Sequence, residues 1–379
     1  MSQFFKRTLL GAAIATAALA TVPAQASDSG AKYEHSIYGL IAMQVAHRDY
    51  DNEKNNDGVQ FNNESRLGWR GTAQFDQMQD WTFLWQIESG YVDESFAGEN
   101  GGNGYLGRRD TFVGFEHDSV GKIRLGRVLT PIYELIDWPA TNPGMGNVWD
   151  WGGNIGGNNF NDRQSDTIRW DTNELWSGFT MDIAAGAGED RAGATDSSKA
   201  SSNYWHGMAA HQQVKGDWGW AQFDLAYEMN YDTLDKTEGK FDGTFWNNQT
   251  YLIGAQGGFS NGLGYFGYYR IAKADNNEFN QDEREDSFSV GLTYTFDKWQ
   301  AKIAHAENLG LEVNGKDIKN TEDNVTSVQM MYFVDTNAVL YARYAMNNID
   351  RIDADNKGYE GRWKSDSFNE ASVGIEYWF

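Results

Sequence analysis

Arg66 and Arg70 stand four residues apart in Ser65–Phe75, a stretch whose alternate positions hold Leu67, Trp69, Ala73 and Phe75. A period of two sends the two sets to opposite faces of an extended strand. The guanidinium groups therefore share one face and the apolar side chains the other. Lys122 and Arg124 repeat the pattern in 121–127, and Arg169 lies between Ile168 and Trp170. An arginine turned toward lipid at mid-depth would cost about 2–4 kcal/mol, so these cations belong on a water-facing side. Charges fixed in such a row neither make nor break bonds. They set up a field that attracts, orients or repels charged and dipolar solutes.

Bond-making chemistry finds little support. The six histidines, His35, His47, His117, His206, His211 and His305, are scattered, and neither H-E-x-x-H nor G-x-S-x-G occurs. The chain is read as a non-enzyme. Gly102–Gly107 fits G-x-G-x-x-G but lies in a glycine-rich connection entering a strand, not in the strand–turn–helix that a nucleotide fingerprint needs. Asp353–Gly358 begins like a calcium loop, yet its twelfth position is Lys364 where a bidentate glutamate belongs. Acidic runs at Asp49–Asp57 and Asp282–Asp286 read as solvated surface. Three N-x-S/T acceptors, at Asn63, Asn248 and Asn324, match by pattern alone. With no cysteine, disulfides and thiolate metal sites are excluded, and no metal or cofactor is implied.

The 379 residues carry 54 acidic and 31 basic side chains, a net charge of −23 that argues against nucleic acid, where affinity comes from cations neutralising phosphates. Aromatics at 15% are too many for a disordered chain. A mean hydropathy of −0.64 excludes helical membrane spans. It does not exclude a membrane barrel, whose strands alternate apolar and polar residues and average out as polar. Lys6 and Arg7, the apolar run Leu9–Leu19 and the closing Pro23-Ala24-Gln25-Ala26 read as a secretory signal, residues 1–26, cut after Ala26. Residues 27–379 then form one domain.

The elements that must position the cations are strands. Alternation marks sixteen: 34–48, 61–75, 81–91, 105–116, 121–127, 166–172, 178–187, 203–215, 218–232, 246–259, 262–275, 285–297, 298–308, 323–335, 337–350 and 367–379. Short connections, such as Asp76–Asp80, His117–Val120, Gly216–Asp217 and Asp297–Lys298, alternate with long polar ones: 49–60, 92–104, 128–165, 188–202, 233–245, 276–284, 309–322 and 351–366. Tight turns at one end and long loops at the other mark an up-and-down transmembrane barrel. Closure is a physical requirement, because lipid offers the backbone no hydrogen-bond partner. Tyr91, Trp170, Trp176, Trp218, Trp220, Trp299, Tyr377 and Trp378 cluster near strand ends, where aromatic girdles sit. The expected fold is all-β, a 16-stranded antiparallel transmembrane barrel in the cell outer membrane.

Several segments resemble the general diffusion porins of Gram-negative outer membranes. These are Ser36-Ile37-Tyr38-Gly39, Ser65–Gly71, Trp85–Gly90, Arg109–Gly114, Gly121–Arg127 followed by Thr130-Pro131, and the terminal Tyr377-Trp378-Phe379. The resemblance runs in order along the mature chain. It implies a homotrimer, a water-filled pore in each subunit that passes small hydrophilic solutes and ions, contact with outer-membrane lipid and lipopolysaccharide, and recognition of Phe379 by the barrel assembly machinery. It also implies that 128–165, the third external loop, folds inward and narrows the pore. The loop would set Glu134, Asp137, Asp150 and Asp162 against a basic wall of Arg66, Arg70, Arg109, Lys122, Arg124 and Arg169. Arg109 rests on its motif alone, since the alternation of 105–116 is ambiguous. The loop lacks the family's Pro-Glu-Phe-Gly-Gly run. Its Trp138, Trp149 and Trp151 either wedge it against the wall or stack on sugar rings. The second function would make the chain a substrate-selective, sugar-preferring porin. A secreted soluble β-protein such as a lectin is the alternative from another class.

Overall fold

A computed structural model describes residues 32–51, 58–90, 106–137, 155–156, 160, 162–187, 204–234, 245–276, 278–349 and 367–379. The signal segment 1–26, Tyr91, Trp138, Trp149, Asp150, Trp151 and the calcium-like run 353–358 lie outside the described residues.

In chain order the strands are β1 (Lys32–Tyr50), β2 in two pieces (Gly58–Asn63 and Arg66–Gln74), β3 (Thr82–Gly90), β4 (Thr111–His117), β5 (Gly121–Leu129), β6 (Arg163–Asp171), β7 (Phe179–Ala187) and β8 (Tyr204–Gly216). They continue as β9 (Gly219–Leu234), β10 (Phe245–Phe259), β11 (Leu263–Asn276), β12 (Gln281–Phe296), β13 (Trp299–Val313), β14 (Asp323–Asp335), β15 (Ala338–Ile349) and β16 (Phe368–Trp378). One helix, α1 (Pro131–Asp137), follows β5. Every strand pairs antiparallel with the next, and β16 pairs with β1 from Leu40↔Trp378 to Tyr50↔Phe368. Two further bonds seal the seam: Gly39 N–H donates to the Phe379 carbonyl at 3.0 Å, and Phe379 N–H to the Gly39 carbonyl at 3.1 Å. The sixteen strands thus close a cylinder that leaves no open edge, as lipid demands.

The departures from simple alternation have local causes. β2 breaks at Glu64-Ser65, where Ala42 N–H donates to Ser65 Oγ at 3.1 Å and Ser65 N–H to Asn63 Oδ1 at 2.9 Å, so side chains replace part of the ladder. The fourth expected strand, 105–116, contracts to β4. β13 outruns its expected end at 308, turns at Asn314-Gly315 and pairs with a three-residue strand, Lys316–Ile318. Both turn residues have positive φ, 48° and 75°, the hairpin conformation that Asn-Gly favours.

The two faces of the wall differ in kind. Ile37, Leu67, Trp69, Leu125, Ile168, Leu225, Ile253, Leu292 and Val373 are exposed on the outside, and their strand neighbours point inward. Exposed apolar residues in this number would aggregate a soluble protein; here they are the lipid-facing surface. Trp218, Trp176 and Trp299 stand beside the short turns, with Trp299 4.7 Å from Tyr332. Trp378 departs from the expected girdle and packs with Met331, Val339 and Tyr341 instead, because it falls on the inward phase of β16.

Candidate functional site

The inner wall over β5–β9 carries one connected chain of charges. Strand register sets Lys122 opposite Asp171 and Arg124 opposite Arg169, so two guanidinium groups lie side by side on neighbouring strands. Asp171 separates them. Its Oδ2 accepts from Arg124 at 2.5 Å and its Oδ1 from Arg169 Nε at 2.6 Å. Arg169, only 2% exposed, spends its remaining donors on the Leu129 carbonyl (2.8 Å), Asp182 (3.2 Å) and both oxygens of Glu134 (3.0 and 2.8 Å). The chain continues through His211, which stands 3.3 Å from Asp182 and 2.6 Å from Asp224. Asp224 also accepts from Gln222 at 2.9 Å and from the Tyr268 hydroxyl at 2.7 Å. Buried charges persist only when paired and hydrogen-bonded, and each member here has its partners.

A second cluster lies on β1–β4. The Arg70 guanidinium sits 4.6 Å above the ring of Tyr38, whose hydroxyl donates to Glu88 Oε2 at 2.7 Å. Arg109 Nε donates to the other oxygen of Glu88 at 2.5 Å. The Tyr38 ring covers Gly68 closely, so a side chain there would displace it. Arg66 follows the same inward phase as Arg70 and pairs in register with Leu40 and Gly90. Arg163 reaches Asp110 at 2.5 Å and Asp162 at 3.6 Å.

Glu134 reaches Arg169 because α1 lies against the inner face of the barrel. Thr130 caps the helix, its Oγ1 accepting from Tyr133 N–H at 3.4 Å, and Pro131 takes the first helical position, where a missing N–H costs nothing. Ile132, Leu135 and Ile136 form a buried stripe in one cluster with Ala209, Ala226 and Leu252 of the wall. Small alanines at inward positions make the room. Farther along the connection, Ile155 packs with Trp246, Ala272 and Ala274. Gly156 N–H donates to Glu283 at 2.6 Å, and Asn248 donates to the Gly156 carbonyl at 2.8 Å. Phe160 lies under the Arg270 guanidinium at 5.2 Å. Asp137 is exposed at the end of α1. Asp162 is 54% exposed yet closely surrounded. Desolvation raises its carboxyl above the ordinary value, Arg163 and Arg109 pull it down, and Asp137 and Asp110 push it up again.

The expected acids and cations are therefore brought together differently from a simple opposition across open water. Glu134 touches Arg169 directly, and Arg109 is matched by Glu88 on its own wall. Glu88, Asp110, Arg163, Asp171, Asp182 and Asp224 are not among the residues the sequence singles out, and His211 stands there only as one of six scattered histidines. Asp171 was legible there, two residues from Arg169 and hence on its face; the others meet their partners only through register and loop packing.

A family model described as Gram-negative porin matches residues 12–351. The chain belongs to the Gram-negative porin family. This porin is 32% identical over 378 residues to the chitoporin of Vibrio furnissii, covering 94% of this chain and 96% of that one. Among solved structures, OmpT of Vibrio cholerae aligns with a TM-score of 0.66 at 16% identity, over 94% of this chain and 100% of that one. The anion-selective porin from Comamonas acidovorans aligns with a TM-score of 0.65 at 16% identity, over 92% and 100%. The porin is an outer-membrane channel for the passive diffusion of small hydrophilic solutes and ions. Its fold and family are those of channel proteins.

Proposed function

We propose that the lumen is narrowed by connection 128–165 and that the charges on its two sides govern what passes. Arg66, Arg70, Arg109, Lys122, Arg124 and Arg169 serve as the basic wall. Glu134, Asp137, Asp150 and Asp162 serve as the acids of the loop. The observation that carries this reading is the seat of α1 on the inner wall, clamped through Glu134 to Arg169. A Debye length of about 8 Å at physiological ionic strength is comparable to a narrowed lumen, so the field persists across it. It orients dipolar solutes and separates cation from anion paths, while apolar solutes must displace ordered water. Because Arg109, Arg124 and Arg169 are matched by acids and the chain as a whole is acidic, the channel prefers cations mildly. The reversal potential across a salt gradient in a planar bilayer tests this. A cation-selective sign supports the reading, and strong anion selectivity refutes the charge assignment.

A second reading, preference for oligosaccharides, draws on the 32% identity to a protein named chitoporin over nearly the whole chain. Trp138, Trp149 and Trp151 would then stack on sugar rings. Current that rises linearly with salt and ignores added sugar favours general diffusion; resolved blockages by sugar favour selectivity. A homotrimer is proposed on the precedent of a Vibrio cholerae OmpT structure described as a trimer form. Removal of residues 1–26 on export, a single domain over 27–379, contact with lipid and lipopolysaccharide, and handling of Phe379 by the assembly machinery complete the proposal. A heat-modifiable trimer band in mild detergent tests the assembly.

A further inference from the structure

The connection 128–165 meets the wall a second time, on other strands than α1 does, and there the wall holds its backbone. Strand register sets Asn248 of β10 opposite Ala274 of β11, and Ala274 opposite Glu283 of β12. The three share the inward phase, so a hydrogen-bonding side chain stands on either side of a methyl group. With strands about 4.8 Å apart, Asn248 and Glu283 lie about 10 Å from each other, which leaves room for one chain between them. Gly156 takes that place. Its N–H donates to Glu283 Oε2 at 2.6 Å, and its carbonyl accepts from Asn248 Nδ2 at 2.8 Å. The wall thus answers both backbone groups of a buried residue, as burial requires.

Each clamping side chain is itself held by a neighbour. Gln281 donates to the other oxygen of Glu283 at 2.7 Å, and the Thr233 hydroxyl donates to Asn248 Oδ1, which leaves Nδ2 turned to Gly156. Glu283 is 2% exposed and Asn248 0%. The charged acceptor makes the stronger of the two bonds. The Trp246 ring covers Gly156 so closely that a β-carbon there would collide with it, which reserves the position for glycine. Ile155 alongside sinks into the apolar group of Trp246, Ala272, Ala274 and Leu311. Farther on, Phe160 lies under the Arg270 guanidinium, and its ring stacks on Tyr133 of α1 at 5.9 Å. One aromatic ring thus joins this anchor to the helix.

We propose that Glu283 and Asn248 are positioning residues of the channel: by clamping Gly156 they fix how far connection 128–165 stands off the wall, and so set the bore independently of the Glu134–Arg169 contact. This rests on the reading that the connection narrows the lumen. The test is single-channel recording of the full-length porin in a planar bilayer. Glu283→Leu removes the charged acceptor and keeps the bulk. It is expected to raise the time spent at a larger conductance level about tenfold, the equivalent of losing one hydrogen bond to a charged group. Gly156→Ala leaves every wall side chain in place and sets a methyl group against Trp246. It is expected to act in the same direction, and it keeps the test open should Glu283→Leu not assemble. A role confined to barrel stability would lower the gel-shift temperature of both variants without moving the open-channel record, and that result overturns the clamp. Glu134→Gln is the comparison. A larger conductance in Glu134→Gln with the unaltered level in the other two overturns the second anchor and leaves the narrowing standing. The unaltered level in Gly156→Ala combined with Glu134→Gln overturns both.

Discussion

The guanidinium group of Arg169 grips the carboxylate of Glu134 at two points, 3.0 and 2.8 Å, and so joins the only described helix of the chain to the barrel wall. The two residues are unequal. Arg169 has Asp171 and Asp182 as further partners, whereas Glu134 turns both carboxylate oxygens to Arg169. Removing the glutamate charge loosens the helix; removing the arginine also leaves acids crowded in the wall.

Glu134→Gln should therefore assemble but hold α1 less firmly. Hydrogen bonds to a charged group contribute about 1.5–3 kcal/mol. The expected result is a noisier open channel with larger or fluctuating conductance in single-channel records. A steady current at the wild-type level would show that apolar packing of Ile132, Leu135 and Ile136 holds the helix unaided.

Arg169→Gln is expected to cost more. Breaking a buried, paired charge typically costs about 3–5 kcal/mol. The variant should lose stability to urea or heat in detergent. In the fraction that assembles, the unmatched Asp171, Asp182 and Glu134 should move the reversal potential toward stronger cation selectivity. Neutralising Arg66, which is half-buried on β2, should shift selectivity the same way with a smaller loss of stability. Unchanged reversal potentials in both would remove these arginines from the ion path.

Acidity offers a separate handle on Asp162. Because its carboxyl is held above the ordinary value, it takes up a proton early as the pH falls from neutral. Each proton removes negative charge, so cation preference should begin to weaken at a higher pH than an ordinary carboxylate would set. Asp162→Asn should lower the preference at neutral pH and flatten this early part of the curve, as read from reversal potentials at stepped pH.

Tyr38 and Gly68 provide a packing test. A side chain at Gly68 must push the Tyr38 ring from its place, breaking its bond to Glu88 and the stacking of Arg70. Overpacking of this kind costs about 1–3 kcal/mol. Gly68→Val should lower the temperature at which the folded band converts to the unfolded one in gels.

On the outside, Ile253 is 58% exposed near the middle of β10. Ile253→Arg should destabilise folding into phospholipid vesicles by about 2–4 kcal/mol, the cost of arginine at the bilayer midplane. A denaturant titration of the vesicle-folded protein measures it. A negligible change would mean that this position does not face lipid.

Alternation alone determined much of this protein. The pairs Leu67/Arg66 and Ile168/Arg169 announce their two faces because successive side chains on a strand point opposite ways. The same rule carried the strand count, the closed barrel and the membrane location, since unpaired backbone in lipid is too costly to leave an edge open. The turn at Asn314-Gly315 carries a local hairpin signal, but it lies inside 309–322, which the sequence presents as one long polar connection. What tertiary structure alone decided is which charges meet. Arg169 and Glu134 are 35 residues apart in sequence, and their contact follows from the seating of Ile132, Leu135 and Ile136 on the alanines of β8 and β9. His211 joins Asp182 to Asp224 because three strands happen to stand in that register. A one-residue slip would turn each of these side chains to the other face. Periodicity is a property of one strand and can be read along the chain, whereas register and loop packing are properties of several segments at once and exist only when the barrel is closed.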